Sequence, residues 1–305
     1  MSAAARALAG TIVRSGARRI AFLGLAKNVG KTTALVAVLE ELHRLGLVTG
    51  VTSAGRDGES FDAITGEPKP RFRIWPGQLV ASASSTYAAA SFEATAVAAL
   101  PFSTRFGPVE IRRAQGQGEI EMIGPSTASQ MAGAAAALES AGAARVLLDG
   151  AIGRRAFACA GVADALILSV GMAAAESLEA VLGLARAAIE LIRLHEPGPG
   201  RRARSVEGAL TELWLDENPP EPGDVLVAED FTAIFLPPLE RNRLRERGVT
   251  LAVRRRARLL ALTANPTAPA RPPVPAARML EALRGEFPEV PIFDIGAGLC
   301  SGPPA

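Results

Sequence analysis

The chain is poor in residues that mark several classes of protein. It has 2 cysteines, Cys159 and Cys300, whose separation fits neither a metal-binding spacing nor a disulfide framework, so we expect a reducing, cytoplasmic environment. No apolar run approaches the length of about 20 residues that a membrane span needs, so we expect no membrane partner. The balance of 33 Lys+Arg against 31 Asp+Glu argues against a dedicated nucleic-acid-binding protein.

What the chain does have is enough apolar sequence for a large core. It is 49% hydrophobic over 305 residues, which allows one large α/β domain or two small ones. We predict a short helical lead-in over residues 1–17, a single α/β domain over 18–296 and a loose tail over 297–305. The linker rich in Pro and Gly at 197–204 is a candidate sub-boundary within that domain.

The most informative stretch is Gly24-Leu25-Ala26-Lys27-Asn28-Val29-Gly30-Lys31-Thr32-Thr33, which we interpret as a phosphate-binding loop of the G-x-x-x-x-G-K-[ST] type. A short apolar strand precedes it, and leucines and valines at helical spacing follow it. Strand, glycine loop and helix are the context that this motif requires. The sequence therefore predicts a site for a nucleoside triphosphate.

Each residue type in the loop suits a polyphosphate. Gly24 and Gly30 let successive amides point into one concavity, and a helix beginning at Lys31 adds its free amides and dipole. Lys31 can reach the β and γ phosphates, and the Thr32 hydroxyl can take one Mg²⁺ position. Two interpretations of Lys27 stay open: it contacts a phosphate, or its side chain is simply solvated. The predicted nucleotide-binding residues of the loop are Gly24, Lys27, Asn28, Val29, Gly30, Lys31, Thr32 and Thr33.

Two acidic positions are candidates for the metal and for catalysis. Asp57, with Glu59, follows a predicted strand over 47–53, although an ordinary acidic turn is the alternative. Asp149 closes the apolar run that begins at Arg145, the form of a Walker B strand. We predict Lys31, Asp57 and Asp149 as catalytic residues and Thr32, Asp57 and Asp149 as Mg²⁺ ligands. Arg154 and Arg155 follow, and exposure to solvent is their default interpretation.

Two later features have alternatives that the sequence leaves open. Asn265 ends a predicted strand, and its amide can donate to and accept from a base edge; the alternative is a plain Asn-Pro turn. Residues 241–258 hold eight arginines opposed by Glu246 alone. They form either a patch for an acidic partner or, as the absence of interleaved aromatic residues favours, a solvated face.

Several secondary-structure predictions bear on the architecture. After a strand over 77–83 we expect a helix to about Leu100, and we expect 109–111 and 120–123 to form an antiparallel pair. Ser126 is the predicted N-cap of a helix that reaches about Ala141. A long helix is predicted from Ala174 to His195, and a strand over 233–236.

With these residues assembled, the chain resembles the SIMIBI class of P-loop NTPases, and the Val29–Thr32 end of the loop is similar to that of dethiobiotin synthetase. A closer resemblance is to the reactivase subunit (KamB type) that accompanies the B12-dependent lysine 5,6-aminomutase. It is carried by the loop at 24–33 and by the phrases Thr52-Ser53-Ala54-Gly55-Arg56-Asp57-Gly58-Glu59, Glu207-Gly208-Ala209-Leu210-Thr211 and Asn265-Pro266-Thr267.

The resemblance implies a three-layer P-loop NTPase fold, with a mostly parallel central sheet and helices on both faces. It also implies an ATP-hydrolysing accessory protein that acts on a client enzyme and uses Mg²⁺. The alternatives are an ATP-dependent ligase similar to dethiobiotin synthetase and a ParA-like partitioning ATPase. The absence of an N-K-x-D guanine reader favours ATP over GTP without excluding GTP, and the oligomeric state, a homodimer included, is open.

Overall fold

The structure of the protein, a computed structural model, describes residues 2–54, 71–150, 161–200, 202–269 and 271–302. None of the helices within these ranges combines the length and hydrophobicity that crossing a bilayer demands. The helices are α1 (Ala3–Ser15), α2 (Lys31–Arg44), α3 (Ser84–Ala88), α4 (Ala128–Ser140), α5 (Leu178–Ile192), α6 (Glu212–Glu217), α7 (Pro238–Glu246) and α8 (Ala276–Glu286).

The strands alternate with these helices along most of the chain. They are β1 (Arg19–Gly24), β2 (Thr49–Ser53), β3 (Phe72–Ile74), β4 (Leu79–Ala83), β5 (Ala94–Thr104), β6 (Gly107–Ala114), β7 (Gly118–Ile120), β8 (Arg145–Asp149), β9 (Ala165–Gly171), β10 (Arg202–Ser205), β11 (Asp224–Ala228), β12 (Thr250–Val253), β13 (Leu259–Asn265), β14 (Ile292–Asp294) and β15 (Leu299–Ser301). Short 3-10 turns occupy Met172–Ala174 and Phe231–Ala233.

A ten-stranded sheet forms the centre of the molecule, in the order β15-β14-β13-β9-β1-β8-β2-β4-β6-β5. The strands from β14 to β4 run parallel, and antiparallel strands lie at both ends. All seven residues of β9 are buried, as expected for a central parallel strand that is covered on both faces. The predicted α/β class with a mostly parallel sheet is confirmed.

Side chains of successive residues in β1 enter two different cores. Ile20 and Phe22 pack with α1 and α2, whereas Ala21 and Leu23 belong to the cluster that contains residues of α4, α5 and α8. Adjacent strand residues point to opposite faces of a sheet, so the helices form a layer on each side. The helical lead-in is α1, whose Ser2 accepts from the Ala5 amide as its N-cap.

Three predictions between residues 84 and 141 are wrong. The expected helix to Leu100 is limited to α3, and β5 follows it because β5 pairs antiparallel with β6 through a turn at 105–106. The segment 109–111 lies in β6 between β4 and β5, whereas Ile120 lies in β7, which pairs with β3. The N-cap of α4 is Thr127 rather than Ser126, because the Thr127 side chain accepts from the Gln130 amide.

Residues 202–253 build a separate three-stranded parallel sheet, in the order β10-β11-β12. This sheet begins inside the predicted sub-boundary at 197–204. Leu226 of β11 and Leu244 of the neighbouring helix α7 both belong to the main core. Two predictions here are wrong in extent: α5 ends at Ile192, before His195, and the strand expected over 233–236 is reduced to a bridge between Ile234 and Leu210.

Residues 299–301 are also more ordered than predicted. Leu299–Ser301 form β15, which pairs antiparallel with β14, so this part of the expected loose tail is an edge strand of the main sheet. The backbone groups of β14 are satisfied by this pairing, which an unstructured tail would not provide.

Asp224, at the start of β11, pairs with arginines of β10. This pairing predicts that the stability of the fold depends on pH. The buried carboxylate of Asp224 accepts from the Glu221 amide at 2.9 Å and from Arg204 at 3.0 Å. These partners, with Arg202, hold the pKa of Asp224 below its ordinary value. Because the folded pKa is the lower one, the stability from this charge is present above the unfolded pKa of about 4 and is lost as pH falls through the folded pKa.

We therefore expect Asp224→Asn to lower the thermal unfolding midpoint at pH 7 and to lower it much less at pH 3. The measurement is the difference in midpoint between wild type and variant at the two pH values. The same difference at both would show that the charge of Asp224 does not stabilise the fold.

Candidate functional site

The glycine loop lies at the carboxyl end of β1 and runs directly into α2. Two of its residues, Asn28 (φ 59°) and Gly30 (φ 85°), have left-handed backbone conformations. Asn28 is the one residue other than glycine with positive φ in the described part of the chain. Left-handed residues beside a helix N-terminus turn successive amides toward one concavity, where an anion is favoured.

The spacing of this loop corrects our interpretation of the motif. Five residues separate Gly24 from Gly30, one more than in G-x-x-x-x-G-K-[ST], so Leu25 stands where that pattern has its first glycine. The Leu25 amide donates to the Ser169 carbonyl at 3.0 Å, and its side chain packs against the main core. The first half of the loop is therefore attached to β9, while the Gly30-Lys31-Thr32 end keeps the pattern.

Close packing explains why two positions at the loop are glycine, one in the loop itself and one in β9. A Cβ on Gly24 would lie 2.8 Å from Val29 Cγ2 and 3.3 Å from the Ala26 carbonyl oxygen. A Cβ on Gly171, at the end of β9, would lie 2.8 Å from Val29 Cα. Real Cβ atoms do not approach other atoms so closely, so the loop is seated against β9 only because both positions lack a side chain.

Gly171→Ala is therefore a steric probe of the loop. The backbone of Gly171 is extended (φ −151°), so alanine brings no backbone strain and adds only close contacts, with Val29 and with Asn265 Cβ. We expect a loss of about 1–3 kcal/mol in the free energy of unfolding, the usual effect of overpacking. In the control, Gly183→Ala within α5, the added Cβ meets nothing within 4 Å. We expect it to stabilise by about 0.5–1 kcal/mol. Urea unfolding measures both, and equal effects would contradict this packing.

Lys31 and Asp149 form an ion pair at the centre of the site. β8 is the parallel neighbour of β1, with Phe22 opposite Asp149, so the end of β8 lies beside the start of α2. The Asp149 carboxylate also accepts from the Ser53 hydroxyl at 3.2 Å, and Asp149 is 7% exposed. A lysine and a carboxylate that are both mostly shielded from water, next to a helix N-terminus, can exchange this pairing for an anion and a cation.

Ser53 is a site residue that our sequence analysis placed only in a strand. It lies opposite Asp149 in the register of β2 and β8, and the Ala54 amide donates to the Asp149 carbonyl at 2.8 Å. Gly124 packs beneath it, since a Cβ there would lie 1.9 Å from the Ser53 carbonyl oxygen. The sequence shows only that Ser53 is a hydroxyl-bearing residue at the end of a predicted strand, because the pairing of β2 with β8 is not specified locally.

The other predicted metal and phosphate residues are placed as follows. Thr32 is half-buried in the first turn of α2, Thr33 is exposed there, and Lys27 is exposed at the loop tip. Asp57, Glu59, Arg154 and Arg155 lie outside the described residues. Thr32 and Asp149 supply oxygen atoms, which suit Mg²⁺. The described ranges contain no group of three or more His, Cys, Asp or Glu side chains that could hold a metal by themselves.

Asn265, predicted to contact a base, lies against the glycine loop. Its amide nitrogen donates to the Asn28 carbonyl at 3.0 Å, and its amide oxygen accepts from the Thr267 amide and hydroxyl at 3.2 and 2.7 Å. Its position follows from the neighbouring strands, because β13 pairs with β9 and Asn265 lies opposite Gly171. The Asn265 side chain thus both caps the Asn-Pro turn and contacts the glycine loop.

The arginines at 241–258 are largely engaged with the protein itself. Arg241 is 4% exposed and donates to Glu190 at 2.9 Å, and Arg245 pairs with the same carboxylate. Arg255 pairs with Glu229 at 3.1 Å. Cations that are already neutralised by nearby acids form a weak nucleic-acid patch, which favours the solvated-face interpretation.

Comparison of the chain with protein-family models, with curated proteins and with solved structures found no match. The interpretation of the site therefore depends on its own geometry.

Proposed function

We propose that the protein is a P-loop NTPase of three-layer α/β architecture that binds a nucleoside triphosphate at the glycine loop. One observation carries the proposal: two left-handed loop residues precede the N-terminus of α2, and its first residue, Lys31, is paired with Asp149 at the end of the adjacent strand. This convergence would combine an anion concavity, a cation and a carboxylate of the kind that holds Mg²⁺.

The chain's residues would divide the work by chemical type. Amides at the start of α2 donate to phosphate oxygens, and the helix dipole adds favourable charge. Lys31 leaves Asp149 to neutralise the β and γ phosphates, and Asp149 is then free to hold Mg²⁺ with the Thr32 hydroxyl. Mg²⁺, which Thr32 and Asp149 would hold, would supply positive charge that offsets the negative charge developing during phosphoryl transfer.

The Lys31–Asp149 pair fits this exchange. Separating two shielded charges is unfavourable unless each gains a new partner, so a phosphate without a metal, or a metal without a phosphate, satisfies one side only. A triphosphate with Mg²⁺ satisfies both. The geometry therefore favours binding of the magnesium complex over either component.

We propose ATP as the nucleotide and an accessory role toward a client enzyme, of the kind that reactivates a cobalamin-dependent aminomutase. The support beyond the resemblance is a set of large exposed apolar side chains in the segment that carries the small sheet: Leu213, Phe235 and Leu239 are 66%, 53% and 63% exposed. A contiguous exposed apolar patch marks a protein-binding surface, and the closeness of these three side chains in sequence is the support that the chain offers for one.

Turnover measurements test this proposal. We expect Mg²⁺-dependent ATP hydrolysis that is slow alone and stimulated by a purified cobalamin-dependent aminomutase holding inactivated cofactor. Hydrolysis that instead depends on a small carboxylate or amine would replace the accessory role with a ligase. No nucleotide binding by calorimetry, with either ATP or GTP, would refute the NTPase itself.

A further inference from the structure

The contacts of Asn265 give it a function other than base recognition. Its amide orientation is fixed by its partners, because the Thr267 amide requires an acceptor and the Asn28 carbonyl requires a donor; the Thr267 hydroxyl donates to the same amide oxygen. Both polar atoms of the side chain are therefore directed to the protein. The donor is directed to the loop residue whose backbone is the least favourable.

Asn28 needs such support because its φ of 59° lies in the left-handed region. An L-residue in that region is disfavoured by about 1–2 kcal/mol, with asparagine among the more tolerant. Asn265 also fills the space beside the loop: a Cβ on Gly30 would lie 3.2 Å from Asn265 Cβ, and so would a Cβ on Gly171. The side chain thus donates a hydrogen bond to Asn28 and occupies the space beside Gly30, the two left-handed residues of the loop.

We propose that Asn265 is a positioning residue of the phosphate site, which holds Asn28 and Gly30 in the conformation that turns the loop amides toward an anion. The inference rests on the proposed triphosphate site and specifies how that site is kept in shape. It makes the end of β13 part of phosphate binding rather than of base selection.

The test compares two anions that share a triphosphate and differ in the base. Binding of ATP and of inorganic tripolyphosphate, each with Mg²⁺, is measured by calorimetry for wild type, Asn265→Ala and Asn265→Asp. The aspartate keeps the acceptor for Thr267 and replaces the donor to Asn28 with a second acceptor. We expect Asn265→Ala to bind both anions about five- to tenfold more weakly, the effect of the lost hydrogen bond to Asn28. We expect Asn265→Asp to bind both anions more weakly still, because its negative charge also repels the polyphosphate.

A second background separates positioning from a general loss of structure. Glycine adopts positive φ without strain, so in Asn28→Gly the support from Asn265 is needed less. We expect the loss caused by Asn265→Ala to fall below about twofold in that background. Thr267→Ala is the matched control, because it removes the hydroxyl that donates to Asn265 and keeps both the Thr267 amide donor and the hydrogen bond from Asn265 to Asn28.

Each outcome decides between distinct explanations. A loss of ATP binding with unchanged tripolyphosphate binding would assign Asn265 to the base and overturn the inference. Unchanged binding of both anions would also overturn it, as would an undiminished loss in the Asn28→Gly background. If wild type binds neither anion, the proposed function fails, and that result is distinguishable because it precedes any substitution.

Discussion

Replacement of Lys31 by alanine is expected to weaken binding of the magnesium complex of ATP by at least about 100-fold. The ammonium group of Lys31 would make charge-assisted hydrogen bonds to two phosphates, each contributing about 1.5–3 kcal/mol. A factor of ten in affinity corresponds to about 1.4 kcal/mol, so loss of both bonds removes tight binding. Calorimetric titration of wild type and variant measures the difference directly.

Two controls accompany this substitution. Lys31→Met keeps the aliphatic stem, and it should behave like the alanine variant if the charge is what matters. Arg44→Ala removes an exposed cation from the opposite end of the same helix, where it pairs with Glu40 at 3.0 Å, and should leave affinity unchanged. An unchanged affinity in both Lys31 variants would show that the triphosphate site lies elsewhere.

Asp149→Asn is expected to lower the rate of ATP hydrolysis by about 100-fold or more while the fold is retained, similar to the loss of other preorganised electrostatic groups. The amide is nearly isosteric with the carboxylate, so the hydroxyl of Ser53 still finds an acceptor. The variant cannot hold Mg²⁺ as an anion does, so its affinity for ATP should no longer rise when Mg²⁺ is added.

Because of the ion pair, Asp149→Asn is expected to have the opposite effect on metal-free ATP binding. Lys31 is paired with Asp149 in the protein as described, and an asparagine would leave the lysine available. Affinity for ATP in the presence of EDTA should therefore be equal to or greater than that of wild type. Weaker metal-free binding, or full hydrolysis with Mg²⁺, would show that Asp149 is not a ligand of the metal.

The parallel core and the loop at its centre could be predicted from local sequence. Buried parallel strands are short, continuous apolar runs, which made the strand before Gly24 and the run from Arg145 to Asp149 recognisable, and the helix after Gly30 has an apolar stripe at helical spacing. The antiparallel segment was not predictable in the same way. The sequence of β5 is rich in alanine, which favours helix by propensity, and its pairing with β6 overrides that preference.

The part of the site that lies in local sequence patterns was also predictable. Lys31 and Asp149 belong to local patterns, and their predicted proximity is observed because β1 and β8 are neighbours. The contacts of Ser53 and Asn265 depend on strands that are 96 and 237 residues from their partners in sequence. No local pattern specifies such contacts. The loop itself departs from the local motif, because one extra residue separates Gly24 from Gly30. In the fold, the lengthened loop packs closely against Gly171.

The most direct measurement is a crystal structure of the protein with Mg²⁺ and a triphosphate analogue that resists hydrolysis. The account predicts phosphate oxygens within hydrogen-bond distance of the amides at the start of α2, with Lys31 turned from Asp149 to the phosphates and the metal between Thr32 and Asp149. A triphosphate bound at another surface, with Lys31 still paired to Asp149, would contradict it.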